Sequence, residues 1–160
     1  MTESSEQIIR NEWDLLKKSG LLSQIGCSAG PKKKTNLFEW NALIVAPKNS
    51  PYKGYMFQFE IIFPKDYPAH APTVKCKTNV YHMNISSSGD VCVSSIKNKN
   101  DWKNAFDIST VLLSIFIIFS KPNPGSPYNS EIANLYNSNR AEYERRVKEH
   151  CARYAMKISQ

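Results

Sequence analysis

The order of patterned segments predicts an α+β fold: an N-terminal helix, an antiparallel β-meander, a long irregular loop, a central buried helix and C-terminal helices. Three observations carry this. Large apolar residues alternate with polar ones in short stretches between residues 37 and 78. Helical spacing governs both ends of the chain. Between the last strand and the next helix, residues 81–102 (YHMNISSSGDVCVSSIKNKNDW) carry no apolar period and are rich in Ser and Asn, so they read as loop.

Residues 4–18 read as the first helix. Ser4 with Gln7 makes a capping box, and Ile9, Trp13 and Leu16 recur at helical spacing, with Ile8 and Leu15 widening the stripe. Arg10, Lys17 and Lys18 fall on its other side. Residues 26–36 read as turn chemistry. Residues 37–46 alternate, with Phe38, Trp40, Ala42 and Ile44 on one face; residues 55–63 do so with Phe57, Phe59, Ile61 and Phe63. Pro64, Pro68 and Pro72 then interrupt the pattern, because proline cannot donate to a ladder. Residues 73–78 are a short strand with Val74 and Cys76 inward, which leaves Cys76 a buried, inert thiol. Tight turns between the three strands make the pairing antiparallel.

Beyond the loop, residues 109–119 (STVLLSIFIIF) are apolar nearly all round, as in a buried helix, with Ser109 as its cap. Residues 121–127 (KPNPGSP) form a rigid connector, and residues 130–137 a short helix. Asn139 with Glu142 caps the last helix, whose stripe is Tyr143, Val147, Cys151, Tyr154 and Ile158. There is no internal repeat, and the 160 residues suit a single domain, 1–160.

The composition, 41% hydrophobic and 22% charged, is that of a globular protein. A net charge of +7, from 21 basic and 14 acidic side chains, suits an acidic partner surface. The lysines are dispersed apart from Lys32, Lys33 and Lys34, and no basic run is interleaved with aromatics, so nucleic acid is not an expected partner. The run Val111–Phe119 is too short to span a bilayer, and no membrane partner is expected. Cys27, Cys76, Cys92 and Cys151 form no C-x-x-C pair, so no metal site is expected. The polar start is not read as a signal peptide, and free thiols then imply a reducing compartment, cytoplasmic or nuclear.

A long irregular loop inside a compact domain is where function concentrates. In residues 81–102 the chemistry-bearing side chains are His82, Asn84 and Cys92. Cysteine supplies a thiolate nucleophile, and an Asn amide can donate to a developing oxyanion.

This stretch resembles the active-site loop of the ubiquitin-conjugating enzymes, in which a His-Pro-Asn tripeptide precedes the catalytic cysteine and a tryptophan follows it. Here the tripeptide is His82-Met83-Asn84, the cysteine is Cys92 and the tryptophan is Trp102. The resemblance runs through most of the chain: residues 26–31 (GCSAGP), 50–54 (SPYKG), 63–68 (FPKDYP), 122–124 (PNP) and 154–156 (YAM) fall in the family's order. It implies the ubiquitin-conjugating catalytic fold and thioester chemistry. Cys92 would take ubiquitin from the activating enzyme as a thioester and pass it to a substrate lysine or a ligase cysteine. Asn84 would donate to the oxyanion or order the loop, and His82 would support the loop rather than act as base. Ser126 would stand at the position that gates the acceptor lysine. The face with Arg10, Lys17 and Lys18 would dock the activating enzyme; Ala69, His70, Lys103, Asn104 and Ala105 would meet a ligase, and Ser28 would also lie on a partner surface. The protein would act as a monomer with no bound cofactor, ATP being used upstream by the activating enzyme.

Departures from the family pattern set further expectations. Met83 replaces a proline and should leave the loop freer. Ser94 and Ser126 stand where an acid is frequent, and Ser126-Pro127 is a context that proline-directed kinases accept. Ala69 replaces a large apolar residue, and Lys103-Asn104-Ala105 stands where Pro-Ala is usual. The ten-residue spacing from Cys92 to Trp102, Ser94 and the basic charge resemble the SUMO-conjugating enzyme. The GCSAGP, PNP and YAM runs and Glu131-Ile132-Ala133 resemble the small ubiquitin-type members. A conjugating enzyme for SUMO or a similar modifier is therefore the alternative within the family. A catalytically silent ubiquitin-binding variant is the alternative of another class.

Overall fold

The computed structural model describes residues 3–92, 102 and 107–158. Helices α1 (Ser5–Ser19) and α2 (Leu21–Gln24) precede strands β1 (Ser28–Lys33), β2 (Asn36–Val45), β3 (Tyr55–Ile62) and β4 (Thr73–Cys76). Helices α3 (Ile108–Ile118), α4 (Ser130–Ser138) and α5 (Arg140–Tyr154) follow, and a two-residue strand β5 (Met156–Lys157) ends the order. The sheet is an antiparallel meander in the order β1-β2-β3-β4, with β5 pairing β3 beyond the end of β4. The α+β architecture expected from the sequence is present.

Trp40, Ala42 and Ile44 of β2, Phe57, Phe59 and Ile61 of β3, and Val74 and Cys76 of β4 are all buried. Ile9 and Leu16 of α1 and Val111, Leu112 and Ile115 of α3 complete this core. Burying each such large side chain is worth about 1.5–3 kcal/mol relative to leaving it exposed.

Several expectations are corrected. Residues 28–33, read as turn, form β1. It is an edge strand with half-buried and exposed residues, so it has no apolar alternation to read, and Pro31 is tolerated there because an outer edge leaves N–H groups unpaired. Gln7 makes only half of the capping box: Ser4 Oγ accepts from Gln7 N at 3.1 Å, but the Gln7 side chain turns to Asn11. Leu37 rather than Phe38 is buried at the start of β2, and Phe38 lies under the Lys65 ammonium. Asp107, not Ser109, caps α3, accepting from Thr110 N at 3.0 Å. The helix is not buried all round, since Leu113 and Ile117 are partly exposed. In α5 only Tyr143, Val147 and Cys151 of the expected stripe are buried. The helix ends at Tyr154, and β3 captures the next residues as β5.

Phe119, just beyond α3, ties the core to the irregular loop. It stacks on Phe57 with centroids 4.7 Å apart and meets the edges of Tyr52 and His82. Among the described residues, no helix is long and apolar enough to cross a membrane.

Candidate active site

The loop beyond β4 is ordered by its own polar residues. Ser86 opens a tight turn: its N donates to Asp90 O at 2.8 Å, and its Oγ accepts from Asp90 N at 2.9 Å. Gly89 turns with φ +91°, and a Cβ there would lie 2.5 Å from Cys76 O, so only glycine fits. The return leg pairs Asp90 with Lys75 and Val91 with Ile85. Along it Asp90 and Cys92 are half-exposed while Val91 is buried, as strand alternation requires.

His82 is 1% exposed. Its Nδ1 accepts from Asn84 N at 3.0 Å, so the proton is on Nε2, which donates to Ile118 O at 2.8 Å. Burial lowers its pKa to about 4, against the partial support of the Ile118 carbonyl. The ring is neutral, stacked on Tyr52, and has no free lone pair.

Asn84 is completely buried. Its Oδ1 accepts from Asn123 N at 2.8 Å; its Nδ2 donates to Asn123 O at 2.9 Å and to Ser126 O at 3.4 Å. Met83, also fully buried, accepts at its carbonyl from Tyr128 N at 2.8 Å and Asn129 N at 3.2 Å. The connector holds Met83 by its carbonyl and Asn84 by its side-chain amide, bonds that need no proline at residue 83.

Cys92 N donates to Asn84 O at 2.8 Å, and its Sγ faces the carbonyl of half-buried Ser126 at 3.6 Å. His82, Asn84, Cys92 and Ser126 thus form one hydrogen-bonded unit. Two grooves flank it and share exposed Tyr128. One, of about 840 Å³, runs past Lys75, Tyr81 and Asn129. The other, of about 500 Å³, runs past Ala69, His70, Asp90 and Trp102.

The other predicted residues that the structure describes lie apart from this unit. Ala69 and His70 are exposed on the second groove, with His70 Nδ1 2.6 Å from Asp66, and Trp102 Nε1 donates to Pro68 O at 2.7 Å. Arg10, Lys17 and Lys18 are exposed on α1. Arg10 lies 3.9 Å from Glu6, and Lys17 lies 3.5 Å from Asp14 and over the Trp13 ring. Ser28 is exposed on β1. Ser94, Lys103, Asn104 and Ala105 lie outside the described residues.

The roles of Asn123, Tyr128 and the Lys75–Asp90 pair were not read from the sequence. Asp90 had a signal, two positions before Cys92 in an alternating Asp-Val-Cys stretch; Asn123 and Tyr128 had none. No group of three or more His, Cys, Asp or Glu residues could hold a metal among the described residues.

Comparison with known proteins agrees with this geometry. The family model described as "Ubiquitin-conjugating enzyme" matches residues 9–151. The chain is 37% identical over 155 residues, 97% of its own length and 96% of the relative's, to the "Probable ubiquitin-conjugating enzyme E2 31" of Arabidopsis thaliana. Likeness over almost the whole of both chains, with a loop built around a buried His-Met-Asn and a half-exposed cysteine, leads to one assignment: this chain belongs to the ubiquitin-conjugating enzyme family.

Proposed function

We propose that Cys92 is the nucleophile with which this ubiquitin-conjugating enzyme accepts ubiquitin as a thioester. The observation that carries the reading is the contrast among the four thiols. Cys27, Cys76 and Cys151 are buried and Cys92 is not. Burial pushes Cys76 and Cys151 up to about 12 and raises Cys27 as well, which holds them as inert thiols near neutral pH.

The Cys92 thiolate attacks the carbonyl carbon of the incoming thioester; a new C–S bond forms and the thiolate of the activating enzyme leaves. A lysine amine or a ligase thiolate later attacks the same carbon, and Cys92 leaves. Asn84 orders the loop, because both of its amide protons and its oxygen are spent on the connector. His82 supports the loop, and its neutral, doubly bonded ring does not serve as general base. Ser126 marks the acceptor side without supplying charge. The family implies contact with ubiquitin, an activating enzyme and ligases. The exposed face of α1 with Arg10, Lys17 and Lys18 suits the activating enzyme, and the rim at Ala69 and His70 suits a ligase, as the family resemblance also implies for Lys103, Asn104 and Ala105. Ser28 adds a contact on the sheet edge. The protein works as a monomer without a cofactor of its own, in the cytoplasm or nucleus.

The test mixes the protein with activating enzyme, ATP and either ubiquitin or SUMO. A reductant-sensitive ubiquitin adduct that Cys92→Ala abolishes is the expected result. An adduct formed with SUMO in preference to ubiquitin would change the modifier. No adduct with either would overturn the thioester reading.

A further inference from the structure

An acceptor lysine must reach Cys92 as an amine, yet its unperturbed pKa is about 10.4, so it arrives as an ammonium. The connector offers it no negative charge, since Ser126 is neutral. A carboxylate stands two residues before the thiol, at Asp90. Asp90 lies two residues before Cys92 on an alternating leg, so the two side chains leave the same face from Cα atoms about 7 Å apart. Asp90 also lines the 500 Å³ groove with Thr73 and Tyr128. Tyr128 is 53% exposed, and its phenol pKa is raised first by partial burial and then by the charges of Cys92 and Asp90, which places the ring near both.

Asp90 already holds a primary alkylammonium. Lys75 Nζ donates to Asp90 Oδ1, while Oδ2 accepts from Ser86 and Ser88. The side chains of Lys75 and Asp90 are 38% and 48% exposed, so an ammonium from outside can reach the carboxylate. The Lys75 bond, with help from Ser88, holds the Asp90 carboxyl below its usual range and keeps it ionised.

Resting on Cys92 as the thioester nucleophile, we propose that Asp90 is the anchor for the acceptor lysine: the incoming ammonium takes the place of Lys75 on the carboxylate, with its methylenes along Tyr128. Asp90 recruits and positions the acceptor; a carboxylate so readily ionised is a poor base. The ammonium gives one proton to water, the neutral amine adds to the thioester carbonyl, the C–S bond breaks, Cys92 leaves as thiolate, and the second proton departs from nitrogen as the amide forms. The unit thus discriminates by charge, favouring a cationic acceptor over a neutral thiol.

The test uses full-length enzyme charged with ubiquitin, so that charging is factored out of the rates. Single-turnover discharge is followed against free lysine and against 2-mercaptoethanol, a neutral thiol. Asp90→Asn is expected to lower the lysine-to-thiol rate ratio about fivefold, the scale of an exposed ion pair, and to raise the half-saturating lysine concentration. Asp90→Glu should restore most of the ratio, and Lys75→Met, by removing the competing ammonium, should raise it. If Asp90→Asn leaves the ratio unchanged, or if Asp90→Asn and Lys75→Met slow both acceptors alike, the pair only braces the loop and the inference fails. An enzyme that does not charge overturns the thioester reading itself, and this inference with it.

Discussion

Asn84 grips the backbone of Asn123 with both ends of its amide, Oδ1 on N at 2.8 Å and Nδ2 on O at 2.9 Å. The prolines on either side of Asn123 carry no N–H, so within Pro122-Asn123-Pro124 the donor to Asn84 Oδ1 can only be Asn123 itself. The clamp holds the residues that face Cys92, so loop order and reaction geometry share one set of bonds.

Asn84→Ala should therefore do more than slow one chemical step. It removes the bonds to the N–H and carbonyl of Asn123, each worth about 0.5–1.5 kcal/mol. We expect a lower midpoint in thermal unfolding, and a loss of both charging and lysine discharge. A variant that charges normally and fails only in discharge would instead give Asn84 an oxyanion role.

The neutrality of His82 has a signature in pH. The unfolded chain takes up this proton near pH 6.5, the folded chain only near 4. The folded pKa is the lower one, so the stabilising effect is complete above pH 6.5 and is lost as pH falls from 6.5 to 4, about 3 kcal/mol in all. Urea unfolding from pH 7 to 4.5 should show this slope. His82→Gln should be less stable at pH 7 yet shallower across that window; an unchanged slope would mean that other groups set it.

Glu12 joins α1 to the rest of the fold. Its Oε1 accepts from Tyr67 OH at 2.6 Å and from Ile108 N at 2.9 Å, and burial raises its pKa above the usual carboxylate range despite both bonds. Glu12→Ala strips both donors of their partner and should destabilise by about 2 kcal/mol. Glu12→Gln keeps an acceptor oxygen and carries no charge to desolvate, so denaturant midpoints should place it close to the parent protein.

Ala69 leaves the second groove open where Trp102 lines it. Burying a Phe side chain is worth about 1.5–3 kcal/mol, so Ala69→Phe should tighten binding to a ligase that grips this rim by tenfold or more. Titration of ligase against both proteins checks this, and equal dissociation constants would move the docking site elsewhere.

Ser126→Asp places a charge on the connector side of Cys92, as a phosphate on Ser126 would with about −1.5 to −2. Discharge to lysine should speed up while discharge to a neutral thiol stays level. Rates that rise together, or not at all, would remove Ser126 from the acceptor side.

Strong apolar periods fixed what could be read before any coordinates. The alternation through Trp40–Ile44 and Phe57–Phe63 and the helical spacing of Ile9, Trp13 and Leu16 each specify a face, because a buried face tolerates only one register. The loop around His82, Asn84 and Cys92 was legible through its residue types and order. Segments without a period were not. β1 became a strand because β2 offered it a ladder, and β5 because β3 had unpaired groups beyond the end of β4; hydrogen bonding to a neighbour is a property of the pair. The site divides in the same way. The sequence names a cysteine, an asparagine and a histidine; only folding brings Asn123 and Ser126 onto Asn84 across some forty residues, buries His82 into neutrality, pairs Lys75 with Asp90 and brings Tyr128 near the thiol. Such contacts depend on which surfaces the packed core leaves adjacent, and no local pattern records that.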